Sequence, residues 1–323
     1  MSNVLSVENL SVNFDISIKK NFFFSSPAAL KAVDKVSFNL GEEEILGIVG
    51  ESGCGKSTLV KAIMMLSDGH ISGDIIINGK NVKGLKPSEL KEVRKNIQII
   101  FQDPLASLNP KMLIKDIIAE PLKVYYPELS KAEVMAKVFD IMEKVGLNKN
   151  AANRYAHEFS GGQCQRIGIA RAMILNPKIL ICDESTSALD VSIKAQILNL
   201  LKDLKEQFKM SVLFISHDLS VIKYISDRIL VFYLGNLMEI AASEDIYKHP
   251  KHPYTKSLIS SIPGVASKSE RIILQGDIPS PLDLHAGCPF AGRCFKVQDR
   301  CRIEKPVLEK LSENSAVACF YHD

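Results

Sequence analysis

Gly50-Glu51-Ser52-Gly53-Cys54-Gly55-Lys56-Ser57 is a glycine-rich octapeptide from which the rest of the chain can be placed. It has the spacing G-x-x-x-x-G-K-[S/T]. The apolar run Ile45 to Val49 precedes it and the helix-like segment Thr58 to Leu66 follows, which is the setting that spacing requires. Gly50, Gly53 and Gly55 let successive backbone N–H groups, with those of Ser52, Cys54 and Thr58 among them, turn inward around phosphate oxygens. The helix N-terminus adds positive dipole. Lys56 then reaches the β and γ phosphates, and the Ser57 hydroxyl is offered to Mg²⁺.

Upstream of this loop the chain reads as short strands, Val4 to Val7 and Val33 to Leu40, and downstream as a strand from Asp74 to Ile77 with a turn at Asn78-Gly79-Lys80. After Phe101 the period changes to that of helices, over Ile114 to Val124 and Lys131 to Val145, with Gly146 as C-cap. Strand and helix alternate again from Lys178: a strand at Ile179 to Cys182, a helix over Ser192 to Phe208, then strands at Ser211 to Ser216, Ile229 to Phe232 and Leu237 to Ala241. The fold class is therefore α/β, a phosphate-loop domain with a mixed core sheet and a helical insert. Beyond His249 prolines at 250, 253, 263, 279, 281 and 289 predict a small, irregular extension.

Other chemistry-bearing residues fall at predicted strand ends, where ligands sit in parallel sheets. The apolar strand from Ile179 stops at Asp183 and Glu184; Asp183 is placed to hold Mg²⁺ and Glu184 to orient or deprotonate an attacking water. Gln102 follows the strand Ile97 to Phe101 and could sense metal and water. His217 follows the strand ending at Ser216 and could bind a γ phosphate.

Composition narrows the function. Apolar residues make up 46% and charged residues 24% of the 323 positions, a globular rather than a disordered balance. Forty basic against 37 acidic residues leave a net charge of +3, which gives nucleic acid no field to follow. The acid-containing start and the lack of any run of eighteen uncharged apolar residues predict neither a signal peptide nor a membrane span, so a membrane role would come through partners.

Phe159-Ser160-Gly161-Gly162-Gln163-Cys164-Gln165-Arg166 resembles the signature motif of ABC-type ATPases. The resemblance covers about residues 1 to 260, since loop, Gln102, signature, acid strand, the Ser187-Ala188-Leu189-Asp190 segment and His217 stand in that family's order. Ser160 can cap a helix from Gln163 to Leu175, and the glycines let its amides approach an anion closely. The resemblance implies ATP and Mg²⁺ as cofactors and a head-to-tail pair of cassettes, in which Ser160, Gly161, Gly162 and Gln163 contact the γ phosphate on the partner's loop. It makes Glu184, His217 and Gln102 catalytic, gives Mg²⁺ to Ser57, Gln102 and Asp183, places Asp190 among the nucleotide contacts, and stacks adenine on Phe14. The Lys19 to Ala29 segment, with Phe22, Phe23 and Phe24, looks like an insertion found in one of the two ATPases of peptide importers, its rings packing on the strand hairpin.

The spacing Cys288-x5-Cys294-x6-Cys301-x17-Cys319 does not match paired C-x2-C zinc sites, although four thiols suffice for one Zn²⁺ or one [4Fe–4S] cube. His252-Pro253-Tyr254-Thr255-Lys256-Ser257-Leu258, Gly276 to Leu282 and Cys288 to Cys294 are similar to the C-terminal extension of oligopeptide and dipeptide importer ATPases. That likeness implies a cluster on Cys288, Cys294, Cys301 and Cys319, with Zn²⁺ as the alternative. It divides the chain into a nucleotide-binding domain at 1–260, with a helical subdomain at about 103–172, and an extension at 261–323.

The function so implied is ATP hydrolysis that powers a bacterial importer of di- and oligopeptides. The chain would lie peripherally on the cytoplasmic face of the cell membrane. Its partners would be a second, related ATPase, two transmembrane permease subunits and an extracytoplasmic solute-binding protein, without nucleic acid. The same motor serving nickel or another small solute is the alternative; a soluble ABC ATPase is the more distant one.

Overall fold

Turn chemistry and buried apolar runs place the elements of this computed structural model, which describes residues 3–21, 24–103, 105–187, 189–262, 271–280, 282 and 286–322, with the side chains of 17–28 outside the described set. The expected packing of Phe22, Phe23 and Phe24, and Ala188, therefore lie outside the described residues. The first stretch carries β1 (Asn3–Asn21), β2 (Phe24–Gly41), β3 (Ile45–Val49), α1 (Lys56–Ile63), β4 (His70–Ile77) and β5 (Lys80–Asn81). The middle stretch carries α2 (Pro87–Asn96), β6 (Ile97–Ile100), α3 (Ile114–Tyr125), α4 (Lys131–Lys144), α5 (Gly161–Met173), β7 (Ile179–Asp183), α6 (Val191–Phe208) and β8 (Ser211–Ser216). The last carries α7 (Leu219–Ile225), β9 (Arg228–Tyr233), β10 (Asn236–Ala242), α8 (Ser243–Lys248), α9 (Pro253–Ser260), α10 (Asp299–Ile303), β11 (Glu309–Lys310) and β12 (Ala316–Val317).

These elements gather into two compact units, each discontinuous in sequence. One comprises Met1–Val4, Leu40–Ile45 and Gly84–Ile215; the other comprises Leu5–Asn39, Leu46–Lys83 and Ser216–Asp323.

In the first unit β6, β7 and β8 run parallel, pairing Ile97 with Ile179 through Ile100 with Cys182, and Ile179 with Ser211 through Asp183 with Ile215. Every residue of β8 and the first four of β7 are buried, the continuous apolar reading of strands covered on both faces. Helices α3, α4 and α5 pack together as the helical insert. Its caps explain its boundaries. Ser130 starts α4 through a capping box with Glu133, and α4 ends at Val145 with Gly146 at φ 71°, the left-handed position where glycine is least strained. Helix α5 stops at Met173, two residues short of the expected Leu175.

In the second unit β1, β2, β4 and β5 form a four-stranded sheet, with β1 antiparallel to β4. Asn78 and Gly79 both have positive φ and join β4 to β5 by a two-residue turn of the type that matches strand twist. Leu234 and Gly235 do the same between β9 and β10. Strand β3 pairs in parallel with β9, Leu46 with Arg228 through Val49 with Val231. The C-terminal region is the irregular layer that the prolines predict: its longest regular piece beyond α9, among the described residues, is the five-residue α10. Phe290 is fully buried there, its ring 5.3 Å from Tyr233, 5.8 Å from His252 and 5.2 Å from Tyr254. Burying one such ring contributes about 2–3 kcal/mol, so this cluster carries much of the tail's attachment. No helix among the described residues is long and apolar enough to cross a membrane.

Candidate functional site

The loop after β3 lies within the second unit. Gly53 (φ 76°) and Gly55 (φ 104°) occupy left-handed conformations, and Gly55 leads directly into α1. Close approach explains Gly50: a Cβ there would overlap the carbonyl oxygen of Phe232 on the neighbouring β9. Gly50→Ala is therefore expected to destabilise the protein by about 1–3 kcal/mol, the usual penalty of overpacking against an immovable group, seen as a lower thermal midpoint. An unchanged midpoint would mean that the strand and loop separate easily.

Lys56 is only 5% exposed. Its ammonium donates to the carbonyls of Gly50 at 2.7 Å and Glu51 at 3.0 Å, so the loop folds back on its own lysine. Cys54 is buried beneath it; burial pushes the thiol pKa up, with nearby Lys56 opposing. Its carbonyl accepts from Gly235 N–H at 2.7 Å. Ser52, Gly53 and Ser57 are exposed, while Thr58 is half-buried in the first turn of α1. Phe14 is half-buried on β1, next to the Asn13–His70 pair with β4.

Glu51, an unassigned position of the motif, is held twice. Its N–H donates to the Tyr254 hydroxyl at 3.1 Å, and its carboxylate receives two bonds from Arg293, at 2.6 and 3.2 Å. Nothing in the sequence signals these partners, which lie 203 and 242 positions away. His217, also in this unit, is exposed just beyond β8.

The first unit brings Gln102 and Glu184 together. The parallel register sets Ile100 beside Cys182, so the residues two positions further on are level, and Gln102 Nε2 donates to Glu184 Oε2 at 3.0 Å. Glu184 sits at φ 46°, a left-handed conformation that costs a non-glycine residue about 1–2 kcal/mol. Its N–H donates to Ile215 O at 3.0 Å and its own carbonyl accepts from Ser187. Strain held in place by such bonds is found where a side chain must be aimed. Asp183 is the last residue of β7.

Ser160 caps α5 as the sequence requires: its hydroxyl accepts from Gln163 N–H and Gln163 Oε1 accepts from Ser160 N–H at 3.0 Å. The tip of this helix is exposed at Ser160, Gly161 and Gln163. Gly161 lies beside Leu189, and a Cβ on Gly162 would press on Ile193, so the glycines seat the tip against the start of α6. Asp190 occupies the N-cap position of α6, exposed and without a side-chain capping bond.

Cys288, Cys294, Cys301 and Cys319 line one small cavity together with His252, Phe290 and Phe320. Burial pushes the Cys288 thiol up to about 12, with the other three cysteines adding to it, and raises Cys294 and Cys319 as well. His252 is held neutral, its pKa driven down to about 3 by burial. Among the described residues no group of three His, Cys, Asp or Glu stands where it could hold a metal ion, which supports neither the cluster nor the Zn²⁺ expected on these cysteines.

A sequence-family profile described as ABC transporter matches residues 33–187, and one described as oligopeptide/dipeptide transporter, C-terminal region, matches 238–301. The chain is 53% identical to the oligopeptide transport ATP-binding protein OppF of Haemophilus influenzae, over 98% of this chain and 96% of that one. It is 51% identical to that of Salmonella typhimurium, over 99% and 96%. Among solved structures, the ATP-binding cassette MJ0796, a dimer bound to ADP and Pi, superposes with a TM-score of 0.64 at 28% identity, over 74% of this chain and 98% of that one. A strand-fed phosphate loop, a glutamine-held glutamate and a serine-capped glycine helix tip, on a chain so close to these relatives along nearly its whole length, make it a member of the family of ATP-binding subunits of ABC-type oligopeptide transporters.

Proposed function

We propose that this chain hydrolyses ATP to drive import of di- or oligopeptides, working at the cytoplasmic face of the cell membrane. One observation carries the reading: a complete phosphate loop and a complete, exposed serine-glycine helix tip stand on the same chain. The tip presents free-standing backbone amides at a helix N-terminus, an anion-binding arrangement, and in this reading its ligand is a second cassette's triphosphate. In this reading Gly50, Ser52, Gly53, Cys54, Gly55, Lys56, Ser57 and Thr58 cradle the phosphates and Phe14 meets adenine. Ser57, Gln102 and Asp183 hold Mg²⁺, Glu184 activates water, and His217 and Asp190 contact nucleotide or its partner cassette. Phe101 and Leu105, 43% and 52% exposed beside Gln102, offer an apolar surface to a permease subunit.

The test is reconstitution of the chain with a related ATPase, two permease subunits and a solute-binding protein in vesicles. Added oligopeptide should raise the ATPase rate several-fold and nickel should not; the reverse response would replace peptide by metal as cargo.

The finer reading of the tail is a [4Fe–4S] cluster on Cys288, Cys294, Cys301 and Cys319. Four thiols and no carboxylate around one small cavity form a soft donor set, which is what supports this reading. When bound, the cluster would supply a cross-link to a region with little core of its own. Protein purified without air should contain iron and acid-labile sulfide in equal amounts; zinc alone would overturn the cluster.

A further inference from the structure

The loop residue Glu51 is an oddity for a site that takes a triphosphate, since its carboxylate brings negative charge beside negative charge. The structure neutralises it from the tail. Arg293 makes a forked, two-bond contact to that carboxylate, and the side chains are only 10% and 22% exposed. A forked pair so shielded from water is well above the strength of surface pairs. Arg293 Nη1 also lies 3.5 Å from the Tyr233 hydroxyl, and Tyr254, fully buried against Tyr233 and Phe290, accepts the Glu51 N–H. Residue 51 is thus gripped at its amide by α9 and at its carboxylate by the tail. The other side of the same residue faces the site, because the Glu51 carbonyl, with that of Gly50, carries the Lys56 ammonium. A continuous run of hydrogen bonds therefore links Arg293, Glu51 and Lys56.

We infer that Arg293 is a positioning residue for the phosphate loop: it cancels the charge of Glu51 and fixes the Gly50–Glu51 backbone on which Lys56 is aimed, so that the segment between Cys288 and Cys294 sets the affinity for nucleotide. This rests on the loop being an ATP site. Removing Arg293 frees the loop and exposes an acid to the phosphates; removing both charges takes away the repulsion.

The test compares MgATP binding and steady-state turnover in the full-length wild type, Arg293→Ala, Glu51→Gln and the double variant. Arg293→Ala should weaken binding about tenfold or more, the usual scale for breaking a shielded pair, with most of the loss falling on KM rather than kcat. Glu51→Gln in the Arg293→Ala background should restore at least half of that loss on a logarithmic scale, a strong non-additivity. Raising the salt concentration should shrink the gap between Arg293→Ala and wild type. Should Arg293→Ala not fold, Arg293→Lys with and without Glu51→Gln reads the same effect at about threefold. Equal binding by wild type and Arg293→Ala, or a double variant as weak as Arg293→Ala, overturns the inference. A wild type that binds no MgATP overturns the ATPase reading itself, before any variant is made.

Discussion

Lys56→Ala is expected to lower MgATP affinity by on the order of a hundredfold and to leave no measurable turnover. The Lys56 ammonium is already desolvated and held on the Gly50 and Glu51 carbonyls, so moving it onto phosphate exchanges neutral acceptors for charged ones without a large reordering. A unit charge pair about 4 Å apart near a protein surface is worth on the order of 4 kcal/mol. Even after desolvation takes a third of that, a factor of about a hundred remains. Alanine also strips two carbonyls of their donor, which loosens the loop as well. Equilibrium binding of a fluorescent ATP analogue measures the effect, and a melting curve separates lost binding from lost fold. Affinity within threefold of wild type would remove Lys56 from the phosphates and the loop from the role given to it.

The parts of this machine that the sequence disclosed are those that repeat a local rule. Strands β3, β7 and β8 are apolar without interruption because both faces are covered, and each was readable as such. Gln102 and Glu184 were readable only as residues at strand ends; their meeting depends on the parallel register of β6 on β7, which brings equal offsets level and which the sequence did not disclose. The first strands were seen at less than half their length. Asn9, at φ 48°, sits where the register of β1 on β4 shifts between Glu8 and Ser11, and such a bulge breaks the alternation from which a strand is read. Ser37 and Ser11 hydroxyls accept the backbone N–H groups of Asn9 and Lys35 there. Hidden altogether was the grip of Arg293 and Tyr254 on Glu51, a contact between segments with no shared period and no spacing rule. The four cysteines were legible as a set and they do line one cavity, but spacing along a chain does not fix where thiols meet in space, so it did not choose between cluster and Zn²⁺.

Glu184→Gln should separate binding from chemistry. Glutamine is nearly isosteric and keeps an amide oxygen, so it can still accept from Gln102 Nε2, and the strained backbone at φ 46° remains held by Ile215 and Ser187. What disappears is the carboxylate that can take a proton from, or align, the attacking water, an effect commonly worth about 10²–10⁴ in rate. Turnover is therefore expected to fall by on the order of a thousandfold while MgATP affinity stays within about threefold, and the paired cassettes should accumulate with ATP bound. Gln102→Ala makes the complementary case: it leaves the carboxylate in place but lets it swing, so a smaller loss of about tenfold is expected. Single-turnover hydrolysis and sizing of the ATP-bound assembly read both. If Glu184→Gln hydrolyses at the wild-type rate, the base lies elsewhere, and the strain at residue 184 serves only the turn; if it loses binding as well, Glu184 shapes the site rather than the reaction.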